Sequence, residues 1–300
     1  MTPIILLSPE LLQLALGLNR IVSYAGYVLL AGTLTFWALV WPQGRADRRL
    51  VSLAAIGTGL MIIGTVAGPM IQIFFTGRPI GDVLTPLDGT AAIVRLAALA
   101  CVGFYFVDIV RGAIVGWRRV VTVILVIVIA ATMVTQSDAV VGSWQLVKII
   151  ATAGHVLAIA AWIGGLVAMA AVLIPRENLQ ELDRLIPRFS IIATLSVITL
   201  VVTGIVHAIA VAGGIRPLVT SLYGLVLLVK VSIFGLMLLM GNQGRRYAAR
   251  VAFQRLHTPA TLLRRSSGVQ SLAVVMGAEL TIAFVILATT SILVMVAPSP

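Results

Sequence analysis

Charged residues are scarce in this chain. Asp, Glu, Lys and Arg make up 10% of its 300 residues, whereas a soluble domain carries about 25%. Aromatic residues make up only 6%, and no alternating run is typical of a barrel strand. The single cysteine, Cys101, excludes an intrachain disulfide and a thiolate metal cluster. The absence of a Gly-rich nucleotide-binding loop, a Cys-x-x-Cys pair and a paired-histidine motif argues against an ATP-driven pump and against a catalytic site.

Hydrophobic residues are abundant instead. They make up 60% of the chain and recur in apolar segments of about 20 residues, each long enough to cross the hydrocarbon core of a membrane as a helix. A soluble fold could bury one such helix, but not eight. The pattern predicts an all-α polytopic membrane protein whose eight transmembrane helices lie at about 19–41, 50–75, 89–111, 118–136, 145–174, 188–212, 221–243 and 269–296.

The net charge of +11 would suggest nucleic-acid binding in a soluble protein. Here fifteen of the 21 Lys and Arg residues fall in the loops at 43–49, 111–119, 176–188 and 244–265, all on one predicted side of the membrane. Because basic loops stay cytoplasmic, we expect both termini to face outward, to the periplasm or cell exterior, with lipid and not nucleic acid around the chain. Residues 2–19 contain no Lys or Arg, so we expect residues 1–18 to be an interfacial segment and not a cleaved signal.

The two halves of the chain resemble each other weakly, but in order. Gly32 and Pro42 have the same spacing as Gly165 and Pro175. In the third and seventh spans, four residues align at one offset: Thr85, Leu87, Gly89 and Arg95 with Thr220, Leu222, Gly224 and Lys230. An even number of helices per unit preserves orientation, so the pattern predicts two parallel four-helix repeats, 19–136 and 145–300.

Few polar residues lie within the predicted spans. Charged groups there are costly and usually face a partner or a cavity, so the following set is the candidate site: Arg95, His155, His207, Lys230 and Glu279. Seven-residue spacing adds neighbours on the same helical faces: Lys148, Trp162 and Met169 with His155, and Tyr223 and Met237 with Lys230. Met276 precedes Glu279 by three residues, and Ser196, Thr199 and Thr203 form a stripe with His207.

Depth below the outer surface, counted along each helix, separates these residues. His155 lies about 11 residues deep, Lys230 about ten, His207 about five and Glu279 about 17. The helix rise then places His207 about 9 Å shallower than His155. Structural roles stay open: His207 binding interfacial water, His155 bonding a neighbouring helix, Lys230 pairing with Glu279, and the methionines packing.

Four segments resemble the CopD family of bacterial copper-resistance membrane proteins. They are His155-Val-Leu-Ala-Ile-Ala-Ala-Trp162-Ile-Gly164-Gly165, Arg188-Phe189-Ser190 with Thr203-Gly204, Thr220-Ser-Leu-Tyr223-Gly224 through Lys230, and the run that follows Glu279. The resemblance implies copper import across the inner membrane, with His and Met ligands and with delivery by a periplasmic copper-binding partner. A relay from His207 or His155 to Met169, Met237 and Met276 is compatible with the preferences of copper.

Two other readings stay open. Transmembrane histidines can ligate haem, and Arg95 or Lys230 could hold its propionates. The His155-x6-Trp162 pattern also looks like the membrane protoporphyrinogen oxidases, which makes a haem-binding protein or membrane oxidoreductase the alternative to copper transport. A membrane scaffold with no substrate is the third possibility. Because two positive charges would repel a copper cation, Arg95 and Lys230 favour the haem reading.

Overall fold

The computed structural model describes residues 9–42, 47–111, 116–135, 145–173, 179–212 and, between 220 and 239, all but 221–223, 226, 230 and 237. No strand occurs among these residues, and six of their helical segments are long and apolar enough to cross a membrane. The first six predicted spans are therefore confirmed. A shorter apolar helix, Leu227–Leu236, lies within the seventh predicted span. The eighth predicted span lies outside the described residues.

The helices of the described part follow in chain order: α1 (Pro9–Thr35), α2 (Arg48–Thr76), α3 (Ile80–Leu84), α4 (Leu87–Arg111), α5 (Trp117–Val134), α6 (Gln145–Ile159), α7 (Gly165–Leu173) and α8 (Leu179–Ala212). A π-helical turn, Phe36–Val40, prolongs α1, and a second, Ala160–Gly164, joins α6 to α7. The first span ends before Trp41-Pro42, as predicted. It is already helical at Pro9, ten residues before the predicted start near residue 19, so its helix is longer than expected.

The first helix is the central one of the described bundle. In its most apolar window 61% of the residues are buried, against 22–39% in the other five spans. Polar side chains tie it to its neighbours: Asn19 Nδ2 donates to Gly64 O in α2 at 2.9 Å, and the Tyr27 hydroxyl donates to Val126 O in α5 at 3.0 Å. Such interhelical hydrogen bonds add to packing where lipid provides no hydrophobic driving force.

Two glycines mark the crossing between α1 and the second half of the chain. A Cβ built on Gly32 would lie 2.6 Å from Ala160 O and would overlap the backbone of Gly164. A Cβ built on Gly164 would lie 2.7 Å from Gly32 Cα. Small residues allow this close approach of backbones, as at many helix crossings in membranes. The π-helical turn Ala160–Gly164 is thus packed directly against α1.

Two arginines link the halves of the chain on the predicted cytoplasmic side. Arg49, at the start of α2, donates from Nη1 to Ala171 O near the end of α7 at 3.2 Å. Arg188 in α8 donates from Nη1 to Val40 O at the end of the first span at 3.4 Å. Each arginine therefore contacts a terminal carbonyl of the opposite half, where a cation is favoured by the helix dipole.

Large apolar side chains cover the outside of the described helices. Phe74 is 70% exposed and Phe104 is 85% exposed, and many Ile, Leu and Val residues of α2, α4, α5 and α8 also point outward. Exposed apolar surface of this extent marks a membrane-facing protein. The buried interior is also apolar, with polar residues confined to a few helix contacts.

Candidate functional site

The candidate site lies between α6 and α8, two helices that pack antiparallel to each other. The predicted polar stripe of α8 faces this contact, since Ser196 and Thr203 are buried. The methyl groups of Thr199 and Thr203 lie 3.8 and 3.5 Å from the position of a Cβ on Gly154. Gly154 therefore lets the polar face of α8 approach α6 closely.

His155 and His207 lie side by side at this contact. His155 Nδ1 is 2.8 Å from Thr203 Oγ1, and His207 Nε2 is 3.1 Å from Thr152 Oγ1. The centroids of the two imidazole rings are 5.9 Å apart, with an angle of 81° between their planes. The rings are therefore closer together than the predicted depth difference of about 9 Å, which was counted along the helix backbones.

The spacing of the two rings fits one shared metal ion. With metal–nitrogen distances of about 2.0 Å and about 1.1 Å from nitrogen to ring centroid, two imidazoles on one metal have centroids about 5–6 Å apart. The observed 5.9 Å lies in this range. Within the part of the chain that the structure describes, no group of three His, Cys, Asp or Glu side chains forms a metal site. The described donor set is thus a pair of imidazoles.

Trp162 and Met169 lie in the same span as His155, but away from the histidine pair. Trp162 is buried in the π-helical turn and packs edge-on against Phe234, with ring centroids 5.8 Å apart. Met169 is buried in α7 and follows His155 by 14 residues, which corresponds to about 20 Å of helix. The Met169 thioether therefore lies too far along the helix to bind the same metal ion as His155.

Arg95 is fully buried in α4 and is held by α5. Its Nε donates to Thr132 Oγ1 at 2.9 Å and its Nη2 donates to Thr132 O. Its Nη1 is buried and has no hydrogen-bond partner among the described residues. Tyr24 and Asp88 are close enough to interact with the guanidinium electrostatically. The predicted intramembrane position of Arg95 agrees with this burial, and its described hydrogen bonds are to Thr132 and not to the histidines.

Five candidate residues lie outside the described residues. They are Tyr223, Lys230, Met237, Met276 and Glu279. The proposed pairing of Lys230 with Glu279 and the methionine positions of the relay therefore stay predictions.

Two residues that contact candidate site residues, Thr152 and Thr132, were not predicted from the sequence. Thr152 precedes His155 by three residues and so shares its helical face, a signal that could have identified it as the partner of His207. Thr132 carries no such signal, because its role as the acceptor for Arg95 depends on how α4 packs against α5.

The fold and the histidine pair are those of a multi-pass α-helical membrane protein with two histidines between two of its helices. The chain also matches a family model. Residues 183–293 match CopD, described as copper resistance protein D. This match confirms the predicted resemblance over the C-terminal part of the chain.

The matched residues include His207 and Thr203 but not His155, Thr152 or Trp162. The fifth-span motif that suggested both CopD and the oxidases therefore lies outside the match. No curated protein matches the chain, and no solved structure matches it.

Proposed function

We propose that this protein transports copper into the cell across the bacterial inner membrane, with His155 and His207 as intramembrane ligands. The observation that carries the proposal is the pairing of two histidine rings, 5.9 Å apart, within apolar helices. One of the pair lies in the segment that matches a copper-resistance family. Imidazole binds both Cu(I) and Cu(II), which makes copper a suitable cargo.

Transport needs a site that can also release its ion. Conduction requires a site that binds an ion well enough to admit it and weakly enough to release it. Thioethers suit Cu(I), so we place Met169, Met237 and Met276 as later positions of a relay toward the cytoplasm. Lys230 pairs with Glu279 in this proposal, which removes one positive charge from the copper path.

The architecture that we propose for the whole chain is eight transmembrane helices in two parallel four-helix repeats, with both termini outside. Reciprocal contacts support the repeats, since Arg49 reaches the end of the fifth span and Arg188 reaches the end of the first. The crossing of Gly32 with Gly164 supports them too, because Gly32 aligns with the neighbouring Gly165. A periplasmic copper-binding protein would load the outer end of the second repeat, and the first repeat serves mainly as scaffold.

The test is copper accumulation in copper-limited cells that express the full chain or its variants at equal levels. His155→Ala removes a ligand that no described neighbour replaces, so we expect the initial rate of accumulation to fall at least about tenfold. His257→Ala is the matched control, because His257 lies in a predicted cytoplasmic loop. Unchanged accumulation in both His155→Ala and His207→Ala would refute the proposal.

Haem binding is the second candidate, and the buried Arg95 favours it. Within the described part of the chain its Nη1 has no hydrogen-bond partner, and a propionate would satisfy it. Against haem, two hydrogen bonds join α6 to α8 at the histidines, and a porphyrin between the rings would separate these helices. A Soret band in the purified protein that disappears in His155→Ala would favour haem over copper.

A further inference from the structure

Two threonines at the histidine pair donate their hydroxyl protons to backbone carbonyl groups of their own helices. Thr203 Oγ1 donates to a backbone carbonyl of its own helix, Thr199 O at 2.6 Å, with Leu200 O at 3.3 Å as the other acceptor in reach. Thr152 Oγ1 donates to Lys148 O at 2.8 Å. A hydroxyl group has one proton but two lone pairs. Towards the imidazole, each threonine oxygen can therefore act only as an acceptor.

This arrangement determines which ring nitrogen carries the proton. His155 meets Thr203 through Nδ1, and His207 meets Thr152 through Nε2. In a neutral imidazole one nitrogen is the donor and the other holds the lone pair. A neutral His155 then carries its proton on Nδ1, and a neutral His207 carries its proton on Nε2. The lone pairs belong to the opposite nitrogens, Nε2 of His155 and Nδ1 of His207.

We propose that Thr203 and Thr152 are positioning residues that hold the two histidines in opposite tautomers, so that a metal ion binds Nε2 of His155 and Nδ1 of His207. The metal half of this inference rests on the proposed function, whereas the tautomers do not. A partner that binds the second ring nitrogen commonly orients a metal-binding histidine. Here each partner belongs to the opposite helix, so the contact between α6 and α8 itself orients both rings.

The test begins with the metal-free full chain, labelled with ¹⁵N-histidine, in lipid nanodiscs. Nitrogen chemical shifts distinguish the two tautomers of each ring. We expect His155 to carry its proton on Nδ1, and Thr203→Val to convert it to a mixture of tautomers. Thr203→Ser should restore the original spectrum. Thr199→Val is the matched control, because the Thr199 hydroxyl donates to Leu195 O in its own helix.

A second measurement connects the tautomers to the metal. Competition with a chromophoric chelator should show Cu(I) binding weakened about 10–100-fold by Thr203→Val, restored by Thr203→Ser and unchanged by Thr199→Val. A proton on Nε2 of His155 in the unmodified protein would overturn the inference, even if copper still binds. Tautomers as stated, without Cu(I) binding by the unmodified chain, would support the positioning role and refute the transport proposal.

Discussion

The crossing of Gly32 and Gly164 offers a prediction whose size follows from the structure. In Gly32→Ala the new methyl group would lie 2.6 Å from Ala160 O, although ordinary contact begins at 3.4 Å. The obstacles are backbone atoms, which cannot rotate away as a side chain would. We therefore expect α1 and the π-helical turn Ala160–Gly164 to separate by at least about 0.8 Å.

Separation of this size affects the whole contact and not only one atom. A gap of about 0.5–1 Å removes a quarter to a half of the dispersion energy of each atom pair along the crossing. Overpacking of a well-filled interior costs about 1–3 kcal/mol. Because α1 is the most buried of the six described spans, we expect the upper end of this range, about 3 kcal/mol. This corresponds to more than about a hundredfold in the unfolding equilibrium constant.

The measurement is the equilibrium unfolding of the purified full chain in mixed micelles with increasing SDS, followed by tryptophan fluorescence. Gly59→Ala in α2 is the matched control, since a Cβ on Gly59 meets nothing within 4 Å. Alanine has the higher helix propensity, so this control should be neutral or slightly stabilising. A free energy of unfolding for Gly32→Ala within about 0.5 kcal/mol of the unmodified chain would contradict the reasoning.

Two further predictions concern the buried arginine and the topology. Thr132→Val removes one acceptor from the buried guanidinium of Arg95 and should destabilise the chain by about 1–2 kcal/mol in the same SDS titration. Thr122→Val, which loses only a bond within its own helix, should cost less, and equal losses would count against an important Arg95 contact. A reporter fused at Pro300 should be active outside the cytoplasm. Activity only inside the cytoplasm would show that the proposed orientation is wrong.

Hydropathy predicted six of the spans because a membrane selects length and apolarity, and both are properties of a local segment. The predicted start of the first helix, near residue 19, was wrong, because the described helix is already present at Pro9. The reasoning from apolarity located where a helix could enter the membrane, which differs from where the helix begins.

Contacts between helices were harder to predict. Thr132 accepts from Arg95 because α5 packs against α4, and Asn19 donates to Gly64 because α1 packs against α2. Nothing in the local sequence around either residue specifies the partner helix. The intramembrane position of Arg95 itself was predictable, since it follows from the span alone.

The histidine pair shows why counting helix rise misjudged the site. Depth counted along the backbone treats every side chain as level with its own Cα, but in an α-helix the Cα–Cβ bond tilts toward the N-terminus. In the predicted topology the N-terminal end of α6 is the outer end and that of α8 is the inner end. The Cα–Cβ bond of His155 would then tilt outward and that of His207 inward, in agreement with ring centroids 5.9 Å apart. Antiparallel neighbours of this kind bring together a deeper residue on the helix that enters from outside and a shallower residue on the helix that returns. A difference in backbone depth therefore favours contact between two side chains when the deeper residue is on the entering helix and the shallower residue is on the returning helix.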